Sequence, residues 1–88
     1  MTTDLDIRRR RAQYRADHRG TKEMDLVLGP YAKAKLAGMD EAALAAFEGL
    51  LTEPDPELQE MVFGARPPEP RIADLIHAIR TFHGLKAN

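Results

Sequence analysis

Apolar residues recur at helical spacing along most of the chain, and this pattern predicts an all-α fold. The clearest case is the second segment, where one helical face carries apolar residues at i, i+3, i+4 and i+7, namely Met24, Val27, Leu28 and Tyr31. No segment alternates with period two for long enough to form a strand. We therefore expect five short helices packed as a small bundle, with short loops between them.

Residues that favour helix ends divide this pattern into elements. Thr3 or Asp4 is expected to begin a first helix that runs through Asp17. Asp40 is expected to cap the third helix, and Asp55 to cap the fourth with a proline at its first helical position. The third, fourth and fifth helices then carry the apolar stripes Leu44, Phe47, Leu50 and Leu51; Leu58, Met61 and Val62; and Ile72, Leu75, Ile76, Ile79 and Phe82.

Glycine and proline mark the interruptions. Pro30 has no N–H for the carbonyl four residues earlier, so we expect one kinked second helix that ends at a left-handed Gly38. Gly64 and Gly84 are expected to end the fourth and fifth helices. The proline-rich run 65–70 is expected to be a stiff, extended connector.

Length and composition place the chain among small globular domains. Its 88 residues predict a single helical domain, with a core from about residue 4 to residue 84 and no large enclosed cavity. There is no cysteine, which fits a reducing compartment. No segment approaches the roughly 20 apolar residues that cross a bilayer, and no signal peptide is recognisable. A soluble, unprocessed cytoplasmic protein is expected.

Charge is distributed unevenly although the net charge is only −1. Residues 1–19 contain six arginines and three aspartates, whereas residues 40–69 contain eight acidic residues and one arginine. The first helix therefore presents a basic surface, on which Ile7 and Tyr14 lie seven residues apart on one face.

The connection between the first two helices, "HRGTKEMD", has the composition of a capped turn. Gly20 suits a left-handed residue and can also serve as the N-cap of the second helix, which places Glu23 at position N3. Arg19 is then expected to pair with Glu23 across the turn. A cap, a turn and a surface ion pair account for these residues without any function, and such a pair stabilises by only about 0 to 1 kcal/mol.

The stretches "RRRAQYRADHRGTKEMDLVLGPY" and "LLTEPDPEL" strongly resemble the small assembly factors that promote covalent attachment of FAD to the flavoprotein subunit of succinate dehydrogenase and of its fumarate reductase relatives. The hallmark of that family is Arg-Gly-x-x-Glu, matched by Arg19, Gly20 and Glu23, with Asp25 following. The resemblance covers about residues 7–83. It implies a five-helix bundle that is not an enzyme and binds no FAD stably, since FAD belongs to the partner flavoprotein.

The resemblance also implies a binding surface for that flavoprotein. Arg19 and Glu23 would project into the partner, Gly20 would allow close approach, and the arginines of the first helix would widen the contact. The expected partner-binding residues are Arg8, Arg11, Arg15, Arg19, Gly20, Glu23 and Asp25. The free protein is expected to be a monomer that neither inserts into a membrane nor binds nucleic acid.

Other functions are less favoured by the residues present. The arginine cluster could bind nucleic acid, but four consecutive arginines point to all sides of a helix, and only Tyr14 is placed among them for stacking. An antitoxin-like regulator of a membrane-associated partner is a further alternative. An enzyme is not expected, since the chain contains no serine or cysteine and His77 and His83 lie six residues apart, off the i, i+4 spacing of a helical zinc site.

Overall fold

The computed structural model describes residues 3–85, and over this range the chain forms five α-helices and no strand. The helices are α1 (Asp4–Asp17), α2 (Lys22–Lys35), α3 (Glu41–Leu51), α4 (Asp55–Val62) and α5 (Ala73–Phe82). Two 3-10 turns, Leu36–Gly38 and Pro70–Ile72, precede α3 and α5. The predicted all-α bundle of five helices is confirmed. None of the helices in the described range is long and apolar enough to cross a membrane.

The helix starts at α1 and α3 are those expected from the sequence. Thr3 caps α1 in a capping box, in which its hydroxyl accepts from the Asp6 N–H at 3.1 Å and the Asp6 carboxylate accepts from the Thr3 N–H at 3.3 Å. The hydrogen bond from the Thr3 backbone lowers the pKa of Asp6. Asp40 caps α3 by accepting from the Ala43 N–H at 2.8 Å.

Helices α1 and α2 form an antiparallel hairpin with the most extensive contact in the fold. The side chain of Gln13 donates to the Gly29 carbonyl at 3.2 Å, and Arg9 donates to the carbonyls of Leu36 and Met39 at 3.1 and 2.7 Å. A Cβ on Gly29 would lie 2.5 Å from a carboxylate oxygen of Asp17, so a larger residue there would require the exposed Asp17 side chain to move aside. Pro30 stays inside α2, which is a single helix as predicted.

The end of α2 differs from the prediction. Gly38 belongs to a 3-10 turn and does not have a positive φ, so the expected left-handed end there was wrong. The chain tightens instead, and the Met39 N–H donates to the Leu36 carbonyl at 3.1 Å. Gly84 lies beyond the end of α5, as expected, and it has a positive φ of +73°. In the predicted connector, residues 66–69 are irregular, but Pro70 already begins the second 3-10 turn.

The predicted apolar stripes of α2, α3 and α4 are buried. Within α5, Ile76 and Ile79 are buried, whereas Leu75 is partly covered and Phe82 lies at the rim against Tyr31. Helix α1 contributes Ala12 and Ala16, whose small side chains let its backbone approach its neighbours. The largest fully buried side chains are Phe47, Met24, Leu28, Leu44, Leu50, Leu58, Met61, Ile76, Ile79 and Val62.

Candidate functional site

The turn between α1 and α2, residues 18–21, is built from local hydrogen bonds and one glycine. Gly20 has a φ of +101°, so the predicted left-handed glycine is confirmed. Thr21, and not Gly20, is the N-cap of α2, and its hydroxyl accepts from the Met24 N–H at 3.3 Å. The helix therefore begins one residue later than predicted. This moves Glu23 from the predicted position N3 to position N2.

Arg19 points into the protein rather than out of the turn. Its Nε donates to Oδ1 of Asp55 at 2.8 Å, and its two terminal nitrogens donate to the carbonyls of Leu51 and Glu53 at 2.6 and 2.8 Å. Only 10 % of the Arg19 side chain and 16 % of the Asp55 side chain are exposed. The expected ion pair between Arg19 and Glu23 was wrong, because the guanidinium fork fits these three acceptors on the far side of the turn.

Asp25 holds the turn from the opposite side. Its Oδ1 accepts a hydrogen bond of 2.5 Å from the backbone N–H of Arg19. Glu23 is exposed on the first turn of α2, where its carboxylate lies near the positive end of the helix dipole. The Gly20 backbone is exposed beside it. Of the predicted motif, Gly20 and Glu23 therefore form the accessible surface, whereas Arg19 and Asp25 shape the turn.

Asp55 is the residue of this site that sequence reasoning assigned to a different role. The prediction that it caps α4 was wrong, since Pro54 is the N-cap and Asp55 is the first helical residue. Its carboxylate accepts from Arg19, which lies 36 positions earlier in the chain. The signal available in the sequence was an aspartate in the α3–α4 connection together with an arginine beside a turn, and no local rule connects the two.

The corner between α3 and α4, residues 51–55, also contacts the start of α5. The nearly buried Glu53 side chain accepts a hydrogen bond from Arg71, in the 3-10 turn before α5, while the Glu53 carbonyl accepts from Arg19. The corner is thus held by an arginine on each side. The α1–α2 turn is fixed to the rest of the bundle through this corner. The exposed residues of the turn therefore form a rigid surface.

The arginines of α1 separate into two groups. Arg8 forms a bidentate pair with Glu48 of α3, at 2.6 and 3.2 Å, and Arg9 donates to backbone carbonyls as described above. The hydrogen bond with Arg8 holds the pKa of Glu48 below its usual value, and the same bond raises the pKa of Arg8. Arg11 and Arg15, also predicted to bind the partner, are exposed. Arg8 therefore fastens α1 to α3, and the outward charge comes from the exposed residues Arg10, Arg11 and Arg15.

Two of the imidazoles make contacts that explain their positions. His18 stacks on Tyr14, with 4.2 Å between ring centroids, and its Nδ1 lies 2.9 Å from the Tyr14 carbonyl. The Nε2 atom of His83 lies 2.7 Å from the carbonyl oxygen of Val27. Within residues 3–85, no three His, Asp or Glu side chains converge as ligands for a metal ion.

The fold and the turn together define a small helical bundle that presents a rigid glycine turn beside an arginine-rich helix. Residues 10–83, which include this turn, match the sequence profile of the family described as flavinator of succinate dehydrogenase. The chain therefore belongs to this family, and the resemblance seen in its sequence is confirmed.

Named relatives agree with this assignment. A protein named FAD assembly factor SdhE, from Acetobacter pasteurianus, is 39% identical over 74 residues, which cover 83% of this chain and 68% of the relative. A protein of the same name from Acinetobacter baylyi is 30% identical over 86 residues, or 96% of this chain and 100% of the relative. Succinate dehydrogenase assembly factor 2 of Debaryomyces hansenii, a mitochondrial protein, is 39% identical over 51 residues, which cover 58% of this chain and 36% of the relative. No solved structure shows significant similarity to the chain.

Proposed function

We propose that this protein is an assembly factor that binds the flavoprotein subunit of succinate dehydrogenase and promotes the covalent attachment of FAD to it. The observation that carries the proposal is the family match over residues 10–83. Two relatives named FAD assembly factor SdhE support the same role, and the match to one of them covers the full length of that relative. By the sequence resemblance, the proposal extends to the flavoprotein subunit of fumarate reductase.

In this proposal the protein contributes binding and orientation rather than chemistry. The flavin is the reactive group and the flavoprotein supplies the residue that bonds to it, so the assembly factor needs no nucleophile and no resident FAD. Holding the flavoprotein in a reactive conformation lowers the entropic part of the barrier, which requires a rigid contact surface. The fixed turn at Gly20 is such a surface. The protein would act in the cytoplasm as a monomer until it meets its partner.

The structure supports a specific division of roles among the predicted site residues. Gly20 and Glu23 would touch the flavoprotein, because they are exposed. Arg19 would act as a positioning residue, since its guanidinium is already engaged by Asp55 and two carbonyls. Asp25 would support the same turn through the Arg19 backbone. Loss of Arg19 should then impair function through the shape of the turn.

The test is covalent flavin on the flavoprotein subunit in cells that lack this protein. Flavin fluorescence that survives denaturing electrophoresis reports covalently bound FAD. We expect fluorescence to return with the wild-type chain and to remain low with Glu23→Ala. Asp74→Ala is the matched control, because Asp74 is also an exposed acidic residue at position N2 of a helix, α5. Flavinylation that is equally strong without the protein would refute the proposal.

A further inference from the structure

Helix α1 exposes two apolar side chains that the bundle leaves uncovered. Ile7 is 37 % exposed and Tyr14 is 66 % exposed, whereas the buried face of the same helix consists of Ala12 and Ala16. Ile7 and Tyr14 are seven residues apart and therefore lie on one side of the helix. The Tyr14 ring is stacked against His18, so its exposed position is fixed by a neighbour. The apolar surface thus continues from α1 to the beginning of the α1–α2 turn.

Three arginines surround these two side chains. Arg10, Arg11 and Arg15 line an open depression of about 410 Å³ together with Ile7 and Tyr14, and we call these five residues the α1 outer face. Within residues 3–85 none of the three guanidinium groups lies within ion-pair distance of a carboxylate. The other arginines of this region differ, since Arg8 and Arg19 are both paired. The α1 outer face therefore combines an apolar centre with positive charge that no direct ion pair neutralises, although Arg15 lies close enough to Glu48 to help lower the pKa of that carboxyl.

This combination indicates what chemistry would cover the surface. Three guanidinium groups at the rim attract carboxylates, and the apolar centre between them favours an aliphatic or aromatic side chain. A nucleic acid would use the cations but not Ile7, and the single exposed tyrosine offers one stacking platform at most. The chain is also acidic overall, with a net charge of −1, which disfavours a long polyanion. A protein segment that carries both acidic and apolar residues fits better.

We propose that the α1 outer face docks an acidic segment of the flavoprotein subunit, with an apolar side chain of that segment seated between Ile7 and Tyr14. This inference rests on the proposed function and adds a second contact to it. The stacked pair of Tyr14 and His18 connects this face to the Gly20 turn, so one partner can cover both. The charged rim accelerates and orients the encounter, and the apolar centre slows dissociation.

The test is the affinity of this protein for the flavoprotein subunit, purified from cells that lack this protein. Isothermal titration calorimetry compares the wild type with the double variant Arg10→Glu/Arg11→Glu, which leaves Arg15 in place beside Glu48. The control is Lys33→Glu/Arg66→Glu, which makes the same change in net charge at exposed positions outside α1. We expect the α1 variant to raise Kd at least about tenfold and the control to change it little. Circular dichroism confirms that each variant is folded.

A second variant pair tests the apolar centre separately from charge. Tyr14→Ala is expected to raise Kd about tenfold, whereas Tyr14→Phe keeps the ring and should bind nearly as well as the wild type. The loss caused by the arginine variant should shrink at high salt, and the loss caused by Tyr14→Ala should persist.

The possible failures are distinguishable. If the wild type does not bind the flavoprotein at all, the proposed function fails and the docking face fails with it. If the wild type binds and the α1 variants bind as tightly as the control, the docking face alone is refuted. DNA binding is a further outcome that would refute the docking face. If a DNA duplex binds the wild type, binds the arginine variant more weakly and is not displaced by the flavoprotein, the α1 outer face serves a different partner.

Discussion

Removing the Arg19 side chain should destabilise the whole bundle, because this arginine joins the α1–α2 turn to the α3–α4 corner. Arg19→Ala deletes three hydrogen bonds from a charged group, to the Asp55 carboxylate and to the carbonyls of Leu51 and Glu53. Removing one member of a buried ion pair typically costs about 3 to 5 kcal/mol. Water can reach part of the remaining carboxylate, which is 16 % exposed, so we expect a loss near the lower end, about 3 kcal/mol.

Urea unfolding followed by far-ultraviolet circular dichroism measures this loss. A domain of this size has a free energy of unfolding of roughly 5 to 10 kcal/mol, so the variant should still be folded in buffer. The double variant Arg19→Ala/Asp55→Ala supplies the coupling between the two side chains, which we expect to be about 1 to 3 kcal/mol. Arg19→Lys keeps the charge but lacks the planar fork, and it should be intermediate.

The opposite result is clearly defined. An arginine that projected from the turn toward a partner would behave as a surface residue, and its replacement would change stability by less than about 0.5 kcal/mol. A change that small in Arg19→Ala, or no coupling to Asp55, would refute the inward position of Arg19. It would restore the expectation that this side chain contacts the flavoprotein directly.

Three further predictions concern the turn and the contact between α1 and α3. Gly20→Ala should destabilise by about 1 to 3 kcal/mol, whereas D-alanine placed there by total synthesis should not, because only the L residue is strained at a φ of +101°; equal urea midpoints for the two would contradict this. Thr21→Ala should cost about 1 kcal/mol as the loss of an N-cap, and Glu23→Ala only a few tenths. The reverse order in the same unfolding assay would instead favour the N3 position predicted for Glu23 from the sequence. The bond to Arg8 holds the folded pKa of Glu48 below its usual 4.5, so the stabilising effect of Glu48 should be complete above pH 4.5 and disappear as the pH falls through the folded pKa. The unfolding free energies of wild type and Glu48→Gln should therefore converge in acid. A difference between them that grows in acid would be inconsistent with the ion pair.

The helices could be predicted well because their signals are local. The Asp40 carboxylate accepts from an N–H group just after it, and the apolar stripe ending at Leu51 requires burial of one face. The left-handed turn at Gly20 follows equally from one residue type. Such features depend on a few neighbouring residues, so no knowledge of the tertiary structure was needed.

The site was predicted less well because its decisive contacts are long-range or depend on a choice between neighbours. Gly20 and Thr21 are both acceptable N-caps, and a shift of one residue moves Glu23 from N3 to N2. The partner of Arg19 lies 36 positions away, where Asp55 had an equally good local role as a cap. When a charged side chain has several possible partners, the packing of the helices decides which one it contacts. Residue spacing along the sequence does not specify that packing.

The outward face of α1 shows a second limit. Periodicity placed Ile7 and Tyr14 on one side of the helix but did not say whether that side is buried. The packed side is instead the one with Ala12 and Ala16, because small residues permit the closest approach of helices. Only the structure distinguishes an apolar pair that belongs to the core from one that is available for a partner.

The most direct measurement is the rate of covalent flavin attachment in a reaction of purified components. The flavoprotein subunit, taken from cells that lack this protein, is mixed with FAD, and protein-bound flavin fluorescence is read after denaturation over time. We predict that the wild-type protein accelerates attachment, and that Glu23→Ala does so far less than the control Asp74→Ala. Attachment at the same rate with and without the protein would contradict the proposed role.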